Sequence, residues 1–491
     1  MQQDLSETSA PGDPDVQIPS YSEYRFSFDK ERYGVDAGGS VTLNYTLPED
    51  SRIELMVKDG WSAELIATDA KSGQIVVTCP DPAIASDVVV KAVTTEGSSV
   101  AQVLPLLVRD PYTDATRTDV AAMGYFCFYP GIATDYHFSK MAECGMNMLT
   151  IEAYDNWEEQ LELSEKYGLK GVLFVNGAAG DYYFNQADTK LSEIIAVAKD
   201  MPALAGYQIF DEPSVKNIGQ IKFEKDRIEE LDPNPNHPVY VNLHPSSVSA
   251  GGMGVEDYFE YVEKIVTECD LKFITFDQYP VFTSGIDPSW SRSLAAIYES
   301  SKRHNIPFWA FTLCCREHNR EDPNVGNIRL QCNTNLAYGA QVNQFFVYRA
   351  TSGTNYAPLM GDGTYTKAYD DCKTYCTEMH NRGYVFSGSD VKFLRQTIEA
   401  DTYGCFLSER DYPDAVSAFS TSGPTLVSFI ENKGNSYMVV VNKNWQEAIN
   451  VDITFEDMVY VIDHDGEFTE YQKGDAHLSI EEGDMMVIKY R

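Results

Sequence analysis

In the middle of this 491-residue chain, acids, amides and aromatics recur just after short apolar runs. Tyr129 follows AAMGYFCF, Glu152 and Tyr154 close MNMLTIEAY, Asn176 closes LKGVLFVN, and the adjacent acids Asp211 and Glu212 close YQIFDEP. Asn242 and His244 end PVYVNLHP, Asp277 and Tyr279 end LKFITFDQYP, Trp309 and Thr312 lie in IPFWAFTLCC, and Tyr348 and Arg349 end QVNQFFVYR. This set suits a sugar. Carboxylates can protonate a glycosidic oxygen and stabilise an oxocarbenium-like centre, amides and His bind hydroxyls, and aromatic faces stack on pyranose rings. Phosphate chemistry fits less well, because there is no G-x-x-x-x-G-K and no dinucleotide fingerprint, and Arg349 is the main cation of the set. HExxH is also absent. The cluster Cys314, Cys315, Glu317 and His318 reads as a strand end plus loop rather than a metal site, so neither metal nor cofactor is expected.

These residues need a scaffold that brings strand ends together. The eight apolar runs alternate with amphipathic segments of helical length, from YHFSKMAECG to KAYDDCKTYCTEMHNRG, over a span that matches a (β/α)8 TIM barrel. In that fold the functional residues sit at the C-terminal ends of the strands, where the polar residues above fall. Before the barrel, runs such as VTLNYTL, QIVVTC and DVVVKAV, broken by Gly, Pro, Asp and Ser, predict an all-β module. After it, TLVSFIE, SYMVVVN and DMMVIKY predict a second one. The fold class expected is therefore multidomain α/β plus all-β: a linker at 1–21, an N-terminal Ig-like β-sandwich at 22–110, the TIM barrel at 111–386 and a C-terminal β-sandwich at 387–491.

Composition narrows the partners. Hydrophobic residues make up 43% of the chain, enough for large cores, while 38 Lys+Arg against 74 Asp+Glu leave a net charge of −36 that repels nucleic acid and anionic lipid. No run approaches the roughly 18 apolar residues of a transmembrane segment. The 10 cysteines show no zinc-site spacing and no disulfide framework. Residues 451–491 are rich in Asp and Glu and read as a solvated acidic face. The polar opening segment suits an exported protein, periplasmic or at the cell surface, in the manner of a lipoprotein whose signal is not in this chain. Oligomeric state is left open.

AGYQIFDEP, residues 205–213, resembles the fourth strand of clan A glycoside hydrolases, whose strand-end Glu is the general acid/base. FDQYP (276–280) and PFWAF (307–311) resemble strands six and seven of barrels related to the family 42 β-galactosidases. RLQCNTNLAYGAQVNQFFVY (329–348) resembles the last helix and strand of barrels from gut bacterial glycan-degrading systems, which share the flanking β-domains.

The resemblance implies a glycosidase acting on an oligo- or polysaccharide, with Glu212 as acid/base, while the strand-end positions of Tyr129, Tyr154, Asn176, Asn242, His244, Tyr279, Trp309, Tyr348 and Arg349 make them the expected substrate-binding residues. Pro213 and the strand-end context weigh against the alternative that the DEP turn only caps the next helix. The departure lies at strand seven, where a retaining enzyme carries its nucleophile. Thr312 stands at the aligned position, and Glu317 is five residues further on. Asp277 or Glu152 could supply the second carboxylate from across the mouth. Asp211 with Glu212 instead resembles the pair of family 20 hexosaminidases, in which the substrate's acetamido group attacks, although neighbours on a strand tend to face opposite ways. The leading rival, since strand seven lacks its carboxylate, is a barrel that binds glycans without cleaving them.

Overall fold

The computed structural model describes residues 25–29, 33–36, 38–57, 60–80, 88–95, 99–104, 106–109, 120–129, 131–153, 156–175, 189–350, 356–397, 412–432 and 435–490. It divides into two compact units, 1–111 and 112–491. In the first, antiparallel strands Ser27–Phe28, Ser40–Thr46, Ser72–Thr78 and Ser62–Ala67 form one sheet, and Ser51–Met56, Val89–Thr94 and Ser99–Val103 another. Alternate residues of these strands, among them Leu43, Tyr45, Ile75, Val77, Val90 and Ala92, point into one core, as period-two patterning dictates.

The second unit holds the expected barrel. Eight parallel strands close on themselves: β1 (Ala121–Gly124), β2 (Met148–Glu152), β3 (Lys170–Phe174), β4 (Leu204–Asp211), β5 (Val239–Leu243), β6 (Ile274–Phe276), β7 (Phe308–Leu313) and β8 (Val342–Phe346). Helices follow the strands: α1 (Asp135–Glu143), α2 (Trp157–Lys166), α3 (Thr189–Ala198), α4 (Ile218–Leu231), α5 (Tyr258–Glu268), α6 (Trp290–His304), α7 (Val325–Tyr338) and α8 (Lys367–Phe386). Because helices cover the outside and side chains fill the inside, barrel strands are buried on both faces; in β4 every residue from Leu204 to Phe210 is buried. Met123, Tyr125, Met148, Val172, Tyr240, Phe273, Trp309, Phe311 and Val342 belong to the barrel core.

After α8 the chain forms two antiparallel sheets. One runs Asp390–Thr397, Thr425–Asn432, Asn435–Asn442, Met485–Lys489, Val459–Ile462 and Phe468–Tyr471, the other Val416–Thr421, Ile449–Phe455 and Gly474–Ile480. They share a core that includes Val427, Met438, Val451, Phe455, Val459 and Ile488. The larger sheet docks on the α7–α8 corner of the barrel. Arg329 of α7 pairs with Glu378 of α8 through Nε at 2.9 Å and with Glu481 through NH1 at 2.8 Å, and Arg382 of α8 meets Asp484 at 3.0 Å. Ser428 Oγ donates to the Ala337 carbonyl at 2.7 Å. No described helix is long and apolar enough to cross a membrane.

Candidate active site

The local chain path at the end of β4 decides the site. Glu212 adopts a left-handed backbone, φ 49°, uncommon for a residue with a Cβ, while its N–H still continues the ladder by donating to the Asn242 carbonyl at 2.8 Å. The turn breaks strand alternation, so Asp211 and Glu212 no longer face opposite ways. Ser214 caps the following turn through a capping box with Asn217, and neither acid is used as a cap. The Glu212 side chain remains 41% exposed.

Three carboxyls meet here. Asp277, which follows β6, lies close enough to Glu212 to feel its charge, and its Oδ1 is buried without a hydrogen-bond partner among the described residues. Burial, with the charges of Glu212 and Asp211 second, holds Asp277 well above the usual carboxylate range. Asp211 accepts from Asn242 Nδ2 at 3.0 Å, and Asn242 is fixed in turn by Thr275 Oγ1 at 2.8 Å. Burial pushes Asp211 up to about 6 against the opposing pull of that hydrogen bond. His244 Nδ1 lies 3.4 Å from Glu212 Oε1. Beneath the acids, Gln208 Nε2 donates to the Tyr125 hydroxyl at 2.8 Å.

Two positioning residues lie where strand-end reasoning does not look. Tyr261 of α5 donates its hydroxyl to the Pro213 carbonyl at 2.8 Å and accepts the His244 N–H at 3.2 Å, bridging the loops after β4 and β5. Tyr258, one turn earlier, donates to the His244 carbonyl at 2.7 Å. The i, i+3 tyrosines of DYFEYVEK on a buried helical face were the available signal.

A second group forms around β8, β1 and β2. The Arg349 guanidinium lies 4.6 Å from the ring centroid of Tyr129, and its Nε donates to the Cys127 carbonyl at 2.9 Å. Tyr129 donates its hydroxyl to the Gly361 carbonyl at 3.0 Å. Glu152 is near enough to feel the Arg349 charge, but burial outweighs that pull and raises it. Tyr279 stacks on Phe346 at 5.3 Å, and Arg320, paired with Glu317 at 3.2 Å, sits 5.6 Å from its ring centroid.

Two expected sugar contacts belong instead to the core. Trp309 packs on Phe273 at 4.4 Å and Tyr240 at 5.6 Å inside the barrel, with 3% exposure, because it lies two residues below the polar rim. Tyr348 is fully buried beside Phe128. Thr312 faces the helix layer, its hydroxyl 3.2 Å from Cys332 of α7, and the next residue, Leu313, joins an apolar cluster with Val347 and Ala357. Strand seven thus places no carboxylate in the mouth. Tyr154 and Asn176 lie outside the described residues. One group with metal-ligand spacing occurs elsewhere, His464, Glu481 and Asp484, but Glu481 pairs with Arg329 and Asp484 with Arg382.

No family model and no curated protein matches the chain. Its fold is similar to a β-glucuronidase from Ruminococcus gnavus in complex with D-glucuronic acid, at 14% identity over 72% of this chain and 68% of that one, with a TM-score of 0.40. It is also similar to a β-galacturonidase from Eisenbergiella tayi, at 11% identity, 68% of each chain and a TM-score of 0.37. A Bacteroides fragilis protein provisionally described as an α-galactosidase/melibiase is covered over 98% of its length and 96% of this chain, at 9% identity and a TM-score of 0.44. These neighbours are glycoside hydrolases, and the likeness is one of fold.

Proposed function

We propose that the barrel hydrolyses an O-glycosidic bond in an oligo- or polysaccharide, with Glu212 as the proton donor. The observation that carries this reading is the meeting of Asp211, Glu212 and Asp277 at the mouth, with Glu212 the exposed member. Like charges crowded together disfavour full ionisation of the set, which is the setting that protonation of a leaving alkoxide near neutral pH requires. Glu212, the exposed member, passes the proton to the glycosidic oxygen, and Asp277 replenishes it. His244 and Tyr261 hold the donor in place. Asp277, buried in the same cluster as Glu212, serves as the donor's partner rather than as the nucleophile of a retaining pair. Glu152, at the end of β2, remains available as base or nucleophile. Kinship with the family 42 β-galactosidases rests on FDQYP and PFWAF.

The left-handed turn favours a second reading, substrate assistance, since it brings Asp211 into the same cluster as Glu212. A panel of aryl glycosides, including 2-acetamido sugars, separates the two. Glu212→Gln should lose roughly 10²–10⁴ in rate on poor leaving groups and much less on activated ones. Equal rates for mutant and wild type on unactivated glycans would refute the assignment. Cleavage confined to 2-acetamido sugars would establish substrate assistance.

A further inference from the structure

The mouth of the barrel is electrostatically divided. Asp211, Glu212 and Asp277 lie at the ends of β4 and β6, while Arg349, Tyr129 and Glu152 follow or end β8, β1 and β2; in the closed strand order β8 is opposite β4 and β2 is opposite β6. Arg320, the other cation near the rim described above, is paired with Glu317 at 3.2 Å and lies over Phe282. Arg349 is different: no carboxylate among the described residues pairs with it.

Its geometry is that of a prepared receptor. The Cys127 carbonyl holds Nε at 2.9 Å and the Tyr129 ring supports the guanidinium face, which fixes both the position and the plane of the group. Tyr129 is anchored in turn by its bond to the Gly361 carbonyl. Of the terminal nitrogens, NH1 has only a 3.5 Å contact to the Ala350 carbonyl. That edge presents the two-pronged donor set that matches a carboxylate. A half-buried guanidinium with no counter-ion carries a desolvation cost that an anionic ligand offsets. Glu152 lies near enough to feel the guanidinium's charge but forms no ion pair with it.

We infer that Arg349, braced by Tyr129 and the Cys127 carbonyl, binds the carboxylate of a uronic acid residue whose glycosidic oxygen lies at Glu212. The inference rests on the glycosidase reading and names its substrate class. A chain of net charge −36 gains little from general attraction to an acidic glycan, so recognition falls to this one cation.

The test uses the full chain and matched pairs of 4-nitrophenyl uronides and their neutral hexosides, in both anomeric forms. Wild type should favour the uronide in kcat/KM, and Arg349→Met should lower the uronide-to-hexoside ratio roughly 10- to 100-fold, the effect of losing a charge-assisted hydrogen-bonded pair. Arg349→Lys, which keeps the charge but not the fork, should recover part of the ratio. A structural role would lower both rates alike, and an unchanged ratio overturns the inference. Preference for a 6-sulfated hexoside over the uronide also overturns it. Calorimetric titration with free glucuronate and galacturonate separates the two claims: binding that is lost in Arg349→Met, with no hydrolysis of any glycoside, sinks the glycosidase reading and keeps the uronate site. No binding of either acid, together with hydrolysis of neutral sugars, does the reverse.

Discussion

Glu212 lies beside the buried Asp277, and its charge is, after burial itself, the strongest influence that raises Asp277. The two meet because Glu212, turned by its left-handed backbone, faces an Asp277 whose N–H is itself held by the Leu243 carbonyl at 3.3 Å.

Replacing Asp277 by Asn keeps a donor facing Glu212 but removes the exchangeable acid proton. On the proposed mechanism kcat should fall roughly 10²-fold for glycosides with poor leaving groups, and far less for dinitrophenyl glycosides. Steady-state kinetics across a series of phenols of graded acidity reads this directly. Equal losses for all leaving groups would assign Asp277 a purely structural role.

Asn242 stabilises the charged form of Asp211, so its loss must move the acid's titration upward. Asp211 stands at about 6 with the hydrogen bond in place. If its ionised form is needed, Asn242→Ala should shift the acid limb of the kcat/KM profile to higher pH while the plateau changes less. A limb that stays put would mean that turnover does not depend on the charge of Asp211.

Much of this site was legible in the sequence because barrel topology converts strand ends into neighbours; Glu212, Asp277, Asn242 and His244 could be placed near one another from eight apolar runs. The turn at Glu212 was not legible. Alternation argued that Asp211 and Glu212 diverge, and only the left-handed backbone reverses this. Trp309 was misplaced because counting back from a strand end does not say which layer of the interior a ring enters. Helix α7 looks polar, with Asn327, Arg329, Gln331, Asn333 and Asn335 along it, yet all are buried, because Gln331 and Asn335 bond the barrel strands β7 and β8 while Arg329 and Asn333 meet the C-terminal domain that covers the outer face. Asn333 Nδ2 donates to the Gly483 carbonyl of that domain at 3.1 Å.

Tyr261 acts on catalysis through others. Its hydroxyl joins the Pro213 carbonyl to the His244 N–H, and Tyr261→Phe leaves both without a partner in a buried place. Loss of alignment at Glu212 should lower kcat roughly 10-fold with a smaller change in KM. A fall in thermal stability with unaltered kcat would show that the bridge supports the fold alone.

The joint between barrel and C-terminal domain should respond to alkali. His464 Nδ1 lies 3.4 Å from Asp484 Oδ2, and that hydrogen bond, ahead of the charges of Asp484, Glu378 and Asp465, raises the imidazole to about 9. Asp484, also paired with Arg382, is held below the usual carboxylate range. For a histidine raised on folding, the added stability is complete below the unfolded value of roughly 6.5 and disappears as the pH rises through the folded value. The interaction should therefore be intact at pH 6, weaken across the interval up to about 9 and be absent at pH 10. His464→Gln cannot carry the charge, so its melting temperature should lie about 2 °C or more below wild type at pH 6, and the gap should close at pH 10. Thermal unfolding at the two pH values decides the matter. A gap of the same size at both would mean that His464 contributes packing, and that its charge does no work between the helix α8 arginine and the acidic sheet.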